Sequence, residues 1–307
     1  MRFFTAACAY GGNLMIYVLA FEIVGPKNRV GTTTVLFLVF AVGYMILSLV
    51  AFLLREWRHL QLAISLPFVL TFLAIIVFPE SPRWLITKGR YKEATKIIEK
   101  IAKVNGTEAP QDLLNKLSED SKEDKKQPSR IPVTQLDLIR TPNLRKKTLI
   151  LWVDWFVVNI VYYGLSLSTS ALGVDDYLAA FVSGAIEIPS YLFCWYMMDR
   201  FGRRITLVAF YIFGGVFCLT TIFIPLGAAR AAVAMLGKFA ITAAFGHIYI
   251  YSLEIYPTII RSIGMGTSSM MARVSGILCP IILILGKYWE PLPVSLEEAP
   301  SLLESCL

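Results

Sequence analysis

Apolar residues run in long blocks along this chain, and most of the charge lies in the gaps between them. Eight blocks stand out, at 3–24, 32–54, 60–78, 149–172, 178–198, 205–226, 231–251 and 263–286. Each approaches or exceeds the roughly 20 helical residues that cross about 30 Å of hydrocarbon. Helices apolar on every side have no stable place at the surface of a soluble protein. The pattern therefore predicts an all-α, multi-pass membrane protein with eight transmembrane helices. Composition agrees: 56% of the 307 residues are hydrophobic and the mean hydropathy is +0.62, against about 45–50% apolar residues in soluble domains.

Charge then orients the spans. One set of gaps holds Lys27 and Arg29, the long 83–147 segment, Arg200, Arg203 and Arg204, and Arg261. The alternate set holds Arg55 and Arg58, Asp175 and Asp176, Arg230, and Lys287. The first set is much richer in Lys and Arg, so it is predicted to be cytoplasmic. The net charge of +7 is explained by this asymmetry, and nucleic acid is not implied. With this topology the chain is expected to start outside if Met1 is its true beginning and no helices precede it, and Asn105-Gly106-Thr107 is a glycosylation sequon in form only. Met1-Arg2 leads into an apolar run with no cleavage-like site, so no signal peptide is expected. The five cysteines (Cys8, Cys194, Cys218, Cys279, Cys306) lack metal or redox spacing. There is no metal cluster, nucleophile–base arrangement or phosphate-cradling loop, so neither an enzyme nor a cofactor is implied.

Between the third and fourth spans lies the polar 83–147 segment. Residues 91–104 read as an amphipathic helix with Ile97, Ile98 and Ile101 on one face. Residues 118–130 are rich in Ser, Lys, Glu and Asp and read as a disordered, solvated linker. A regulatory loop phosphorylated at Ser121 or Ser129 is the alternative. The segment opens with Pro79-Glu80-Ser81-Pro82-Arg83-Trp84-Leu85. Here two prolines are expected to end the third span, Trp84 to sit at the interface and Arg83 to face the cytoplasm.

A short repeat links the two flanks. Phe21-Glu22-Ile23-Val24-Gly25 is followed by Arg29, seven residues after the glutamate. Leu253-Glu254-Ile255-Tyr256-Pro257 is followed by Arg261 at the same interval. Both lead into Gly-, Thr- and Ser-rich helices, which suggests duplicated halves. Aligning the halves makes the eight spans helices 4 to 11 of a twelve-helix protein. The acidic tail from residue 290 then stands where a twelfth helix is expected. The resulting division is 1–82 for the end of the N-terminal half, 83–147 for a cytoplasmic linker, 148–289 for the C-terminal half and 290–307 for an atypical tail. That tail ends Ser305-Cys306-Leu307, which has the form of a PDZ ligand.

These words carry a family resemblance. Asp199-Arg200-Phe201-Gly202-Arg203-Arg204 resembles the cytoplasmic loop motif of the major facilitator superfamily. Glu254-Ile255-Tyr256-Pro257-Thr258 with Arg261, Tyr162-Tyr163-Gly164-Leu165-Ser166, Glu187-Ile188-Pro189, the Pro79–Leu85 word and Gly286-Lys287-Tyr288-Trp289-Glu290-Pro291-Leu292-Pro293 resemble the organic cation, carnitine and organic anion transporters. The resemblance covers nearly the whole chain. It implies a major facilitator fold in the plasma membrane that moves small organic ions by alternating access. Glu22, Arg29, Asp199, Arg200, Gly202, Arg203, Arg204, Glu254 and Arg261 would form its conformational motif, with ion pairs that hold one state and break in another.

Ionisable residues in mid-membrane usually face a cavity. Glu187, Lys238, Arg273 and, near a helix end, Asp154 are such residues. Trp155 and Tyr162, seven residues apart on one helix face, offer cation–π surfaces. Trp155, Tyr162 and Glu187 match substrate-site positions of the organic cation transporters, and Phe245 and His247 are further candidates. Arg273 departs from the cation branch, which carries an acidic residue there, and resembles the carnitine and anion branches. Gly237-Lys238-Phe239 also resembles the carnitine branch. A Glu with aromatics and an Arg clamp together suit a zwitterion such as carnitine, or the two charges neutralise each other. The expected partners are thus the lipid bilayer and a small organic ion, with the coupling ion unassigned. An organic anion transporter and a truncated, transport-inactive or regulatory fragment are the competing readings.

Overall fold

A computed structural model describes residues 2–25, 28–77, 79–109, 111–112, 115, 134–168, 176–225 and 228–285. The expected linker stretch 118–130 and the tail 290–307 lie outside these residues. The described chain is helical: α1 (Arg2–Ile23), α2 (Arg29–Leu53), α3 (Trp57–Val77), α4 (Pro82–Thr87), α5 (Tyr91–Val104), α6 (Asp137–Arg140), α7 (Pro142–Ser168), α8 (Asp176–Phe201), α9 (Arg203–Phe223), α10 (Ala228–Ile255) and α11 (Arg261–Leu285). The eight expected spans are α1–α3 and α7–α11, each of 21 to 28 residues. Five segments among the described residues are long and apolar enough to cross a bilayer: Arg29–Leu53, Pro142–Leu167, Asp176–Phe201, Arg203–Thr221 and Ala229–Ile255.

The two expected prolines act differently. α3 has ended at Val77 before Pro79, whereas Pro82 starts a helix. The Trp84 N–H donates to Ser81 Oγ at 3.3 Å, so Ser81 is the N-cap and Pro82 takes the first helical position. α7 begins at Pro142, seven residues before the apolar block at 149, because its first turns carry Arg145, Lys146 and Lys147.

The chain divides into two compact units. One comprises α1, α3 from Ser65 onward, α4 and α5; in it α4 packs on α1 and α5 on α4. The other comprises α2, α3 up to Ile64, and α6–α11. In this second unit α10 touches α7, α8, α9 and α11. Its burial pattern inverts that of a soluble protein. Val39, Phe40, Phe213 and Ile277 are exposed, while Glu187, Lys238, His247, Thr242 and Ser252 are buried. Apolar side chains facing outward and polar ones facing inward are what a hydrocarbon solvent selects. Small residues permit close approach: a Cβ on Gly184 of α8 would lie 2.9 Å from Met45 Cγ of α2.

Candidate functional site

Glu187 and Lys238 meet at the centre of the second unit. Glu187 lies on α8 and Lys238 on α10, with exposures of 0% and 2%. Lys238 Nζ is 3.8 Å from Glu187 Oε1 and donates to Ser166 Oγ at 3.2 Å and to Ser183 Oγ. Tyr162 Oη donates to Glu187 Oε1 at 2.6 Å. The ammonium also lies 5.5 Å from the Tyr162 ring and 5.7 Å from the Tyr44 ring. Two opposite charges removed from water are tolerable here because hydroxyls and ring faces share their solvation.

Four rings form a ladder from this pair. Tyr162 stacks on Phe245 at 4.9 Å, Phe245 meets Tyr249 at 5.5 Å, and Tyr249 meets Trp155 at 4.5 Å. Phe37 of α2 caps it, touching Tyr191, Phe245 and Tyr249 at 5.0–6.4 Å. The Trp155 Nε1–H donates to Ser252 Oγ at 2.9 Å, which fixes the indole. Trp155 and Tyr162 are both buried, as two positions seven apart on one helix should be.

The structure thus joins Trp155, Tyr162, Glu187, Lys238 and Phe245. The cation that meets Glu187 among the described residues is Lys238, in place of Arg273, which the alternative reading had neutralise it. Arg273 is half-buried on α11. Its neighbour Ala272 accepts a hydrogen bond from Asn159 Nδ2, which also donates to Ser275 Oγ at 2.8 Å and ties α7 to α11. His247 is buried away from the ladder, with Nδ1 3.9 Å from Cys194 Sγ. Sequence reasoning missed Ser166, Ser183, Tyr249 and Tyr191. Each lies four residues from a residue it did select (Tyr162, Glu187, Phe245 and Glu187), a spacing that places them on the same helix face. Phe37 had no such signal.

The loop motif lies where α8 meets α9. Gly202 adopts φ 83° and ψ 171° and is the N-cap of α9. That region of backbone space is essentially restricted to glycine. Nothing lies within 4 Å of a Cβ built there, so only backbone strain opposes a side chain. Gly202→Ala is therefore expected to lower stability by about 1–3 kcal/mol. Gly266→Ala, within α11 and equally uncrowded, should be neutral or stabilising. Thermal melts of the two purified variants check this contrast.

Arg203 at the start of α9 donates from Nε to Glu254 Oε2 at 3.3 Å and from Nη2 to Oε1 at 3.4 Å. Both side chains are about a third exposed, so the pair contributes only about 0–1 kcal/mol. Asp199 and Arg200 are exposed. The two Glu-x6-Arg repeats have the same local form: Glu22 and Glu254 are the penultimate residues of α1 and α10, and Arg29 and Arg261 the first residues of α2 and α11. The Arg29 guanidinium lies 4.4 Å from the Phe21 ring, and Arg261 is buried.

Known proteins share this pattern. The family model described as "Sugar (and other) transporter" matches residues 1–286. An organic cation transporter protein of Drosophila melanogaster is 42% identical, over 98% of this chain and 56% of its own length. Human organic cation/carnitine transporter 2 is 37% identical, over 96% of this chain and 54% of its own. The Drosophila carcinine transporter is 41% identical, over 91% and 42%. The chain spans about half the length of the curated relatives it matches. The proton:xylose symporter XylE, bound to 6-bromo-6-deoxy-D-glucose, superposes with a TM-score of 0.71 over 94% of this chain and 65% of that one, at 17% identity, which speaks for the fold alone. With a family model covering all but its last residues and a major facilitator architecture around a buried ionic centre, this multi-pass membrane chain belongs to the sugar (and other) transporter family of the major facilitator superfamily.

Proposed function

We propose that this chain supplies the substrate-binding centre of a plasma-membrane transporter for small organic cations or zwitterions such as carnitine. The observation that carries the reading is the Glu187–Lys238 pair set at one end of an aromatic ladder. A quaternary ammonium fits the ring faces and Glu187, and a carboxylate fits Lys238. A zwitterion can therefore replace each half of the pair with its own opposite charge, which is how a buried pair accepts a ligand without leaving a charge alone. The names of the relatives, among them organic cation, carnitine, carcinine and beta-alanine transporters, support small charged substrates.

Alternating access would then need contacts that open at little cost. Arg203–Glu254 is such a contact, at the cytoplasmic ends of α9 and α10. An organic anion is the second reading, favoured by two cationic residues within the spans, buried Lys238 and half-buried Arg273.

Binding of radiolabelled tetraethylammonium and carnitine to the purified chain, with uptake into cells expressing it, tests the proposal. Glu187→Gln is expected to weaken tetraethylammonium binding by about ten-fold or more, since a hydrogen-bonded charge contributes about 1.5–3 kcal/mol. Lys238→Gln should weaken carnitine more than tetraethylammonium. If Arg273→Ala does so instead, the carboxylate belongs on α11. Unchanged affinities in all three variants, at normal expression, would sink the proposed site. Preference for an anion lacking any ammonium group favours the second reading.

A further inference from the structure

The amphipathic helix α5 carries a feature that the transport centre does not use. Lys92, Lys96, Lys100 and Lys103 follow at intervals of four, four and three residues, so they line one face. All four are exposed, and none is in an ion pair among the described residues. The opposite face is already occupied: Tyr91, Ala94 and Ala102 are buried and Ile97, Ile98 and Ile101 half-buried, with α5 packed on α4. One exposed carboxylate, Glu99, lies among the four lysines on that face and leaves it with a net charge of +3. Glu93 is held by Arg90: it accepts hydrogen bonds from it at 2.6 and 2.8 Å, and this guanidinium holds its carboxyl below the usual range.

We propose that the Lys92–Lys96–Lys100–Lys103 stripe of α5 is a docking surface for the anionic phospholipid headgroups of the cytoplasmic leaflet. Three observations select this partner. The charge distribution places α5 on the cytoplasmic side, where anionic lipids concentrate. α4 packs on the membrane helix α1, and α5 on α4, which keeps α5 within reach of the bilayer surface. Trp84 is 39% exposed, with the Arg90 guanidinium 5.9 Å from its ring, a combination suited to the headgroup layer. A partner that grips amphipathic helices by their apolar face, as calmodulin does, needs the side that α4 already covers.

The test is native mass spectrometry of the whole purified chain, offered equal amounts of phosphatidylserine and phosphatidylcholine. The wild type should retain phosphatidylserine several-fold over phosphatidylcholine. Each Lys→Gln replacement in the stripe should reduce that preference by up to about five-fold. The fourfold Lys→Arg variant should keep it, which separates lost charge from lost fold. Equal preference in the wild type and the fourfold Lys→Gln variant overturns the proposal. So does calcium-dependent capture of the wild type by calmodulin that the same Lys→Gln variant abolishes, because α5 would then be a protein-binding helix.

Discussion

Replacing Lys238 with alanine is expected to destabilise the folded chain by about 3–5 kcal/mol, the cost of leaving one member of a buried ion pair alone. Glu187 would keep the 2.6 Å hydrogen bond from Tyr162 but would lose its only ion-pair partner among the described residues. Its Oε2 is already buried without a hydrogen bond among those residues. The double variant Glu187→Gln/Lys238→Met removes both charges at similar volume, so it should recover most of the lost stability. Thermal unfolding in detergent of Glu187→Gln, Lys238→Met and the double variant gives the cycle. A coupling near zero would mean that the pair is not a stabilising contact. The same double variant should bind neither carnitine nor tetraethylammonium, so it separates the pair's structural role from the proposed ligand role.

Trp155→Ala should be the other severe change, at about 3–5 kcal/mol, the usual cost of truncating a large buried aromatic. The indole is 1% exposed, lies 4.5 Å from Tyr249 and donates to Ser252. Trp155→Phe keeps most of the ring volume and loses the hydrogen bond, so about 1 kcal/mol is expected. Thermal melts of both variants decide between volume and hydrogen bond. If the Phe variant is as unstable as the Ala variant, the bond to Ser252 outweighs the packing.

Local features were readable because their causes are local. The α5 boundaries at Tyr91 and Val104 coincide with the amphipathic stretch, since an apolar stripe every three or four residues is a property of one helix alone. The need for glycine at 202 is also local, set by φ 83° between two helices. The role of Pro82 was misread because a proline serves the first turn of a helix as readily as it ends one. Only the Ser81 cap discloses which applies.

Contacts between helices were a different matter. The sequence selected Glu187, Lys238 and Arg273 as costly intramembrane charges, and it weighed Arg273 as the partner of Glu187. Lys238 took that place because α10 packs directly on α8. Phe37 was not selected, since it is one phenylalanine among several in an apolar span and no charged residue marks its helix face; it joins the ladder through contacts with rings on α8 and α10.

The sequence by itself therefore determined the helical spans, the loop motif and the set of residues too polar to face lipid. Hydrophobic length, local turn geometry and side-chain polarity act on each segment independently of its partners. Tertiary structure alone decided which of those residues meet. The register and rotation of α7, α8 and α10 against one another set every distance in the Tyr162–Glu187–Lys238 cluster, and packing between segments remote in sequence sets that register.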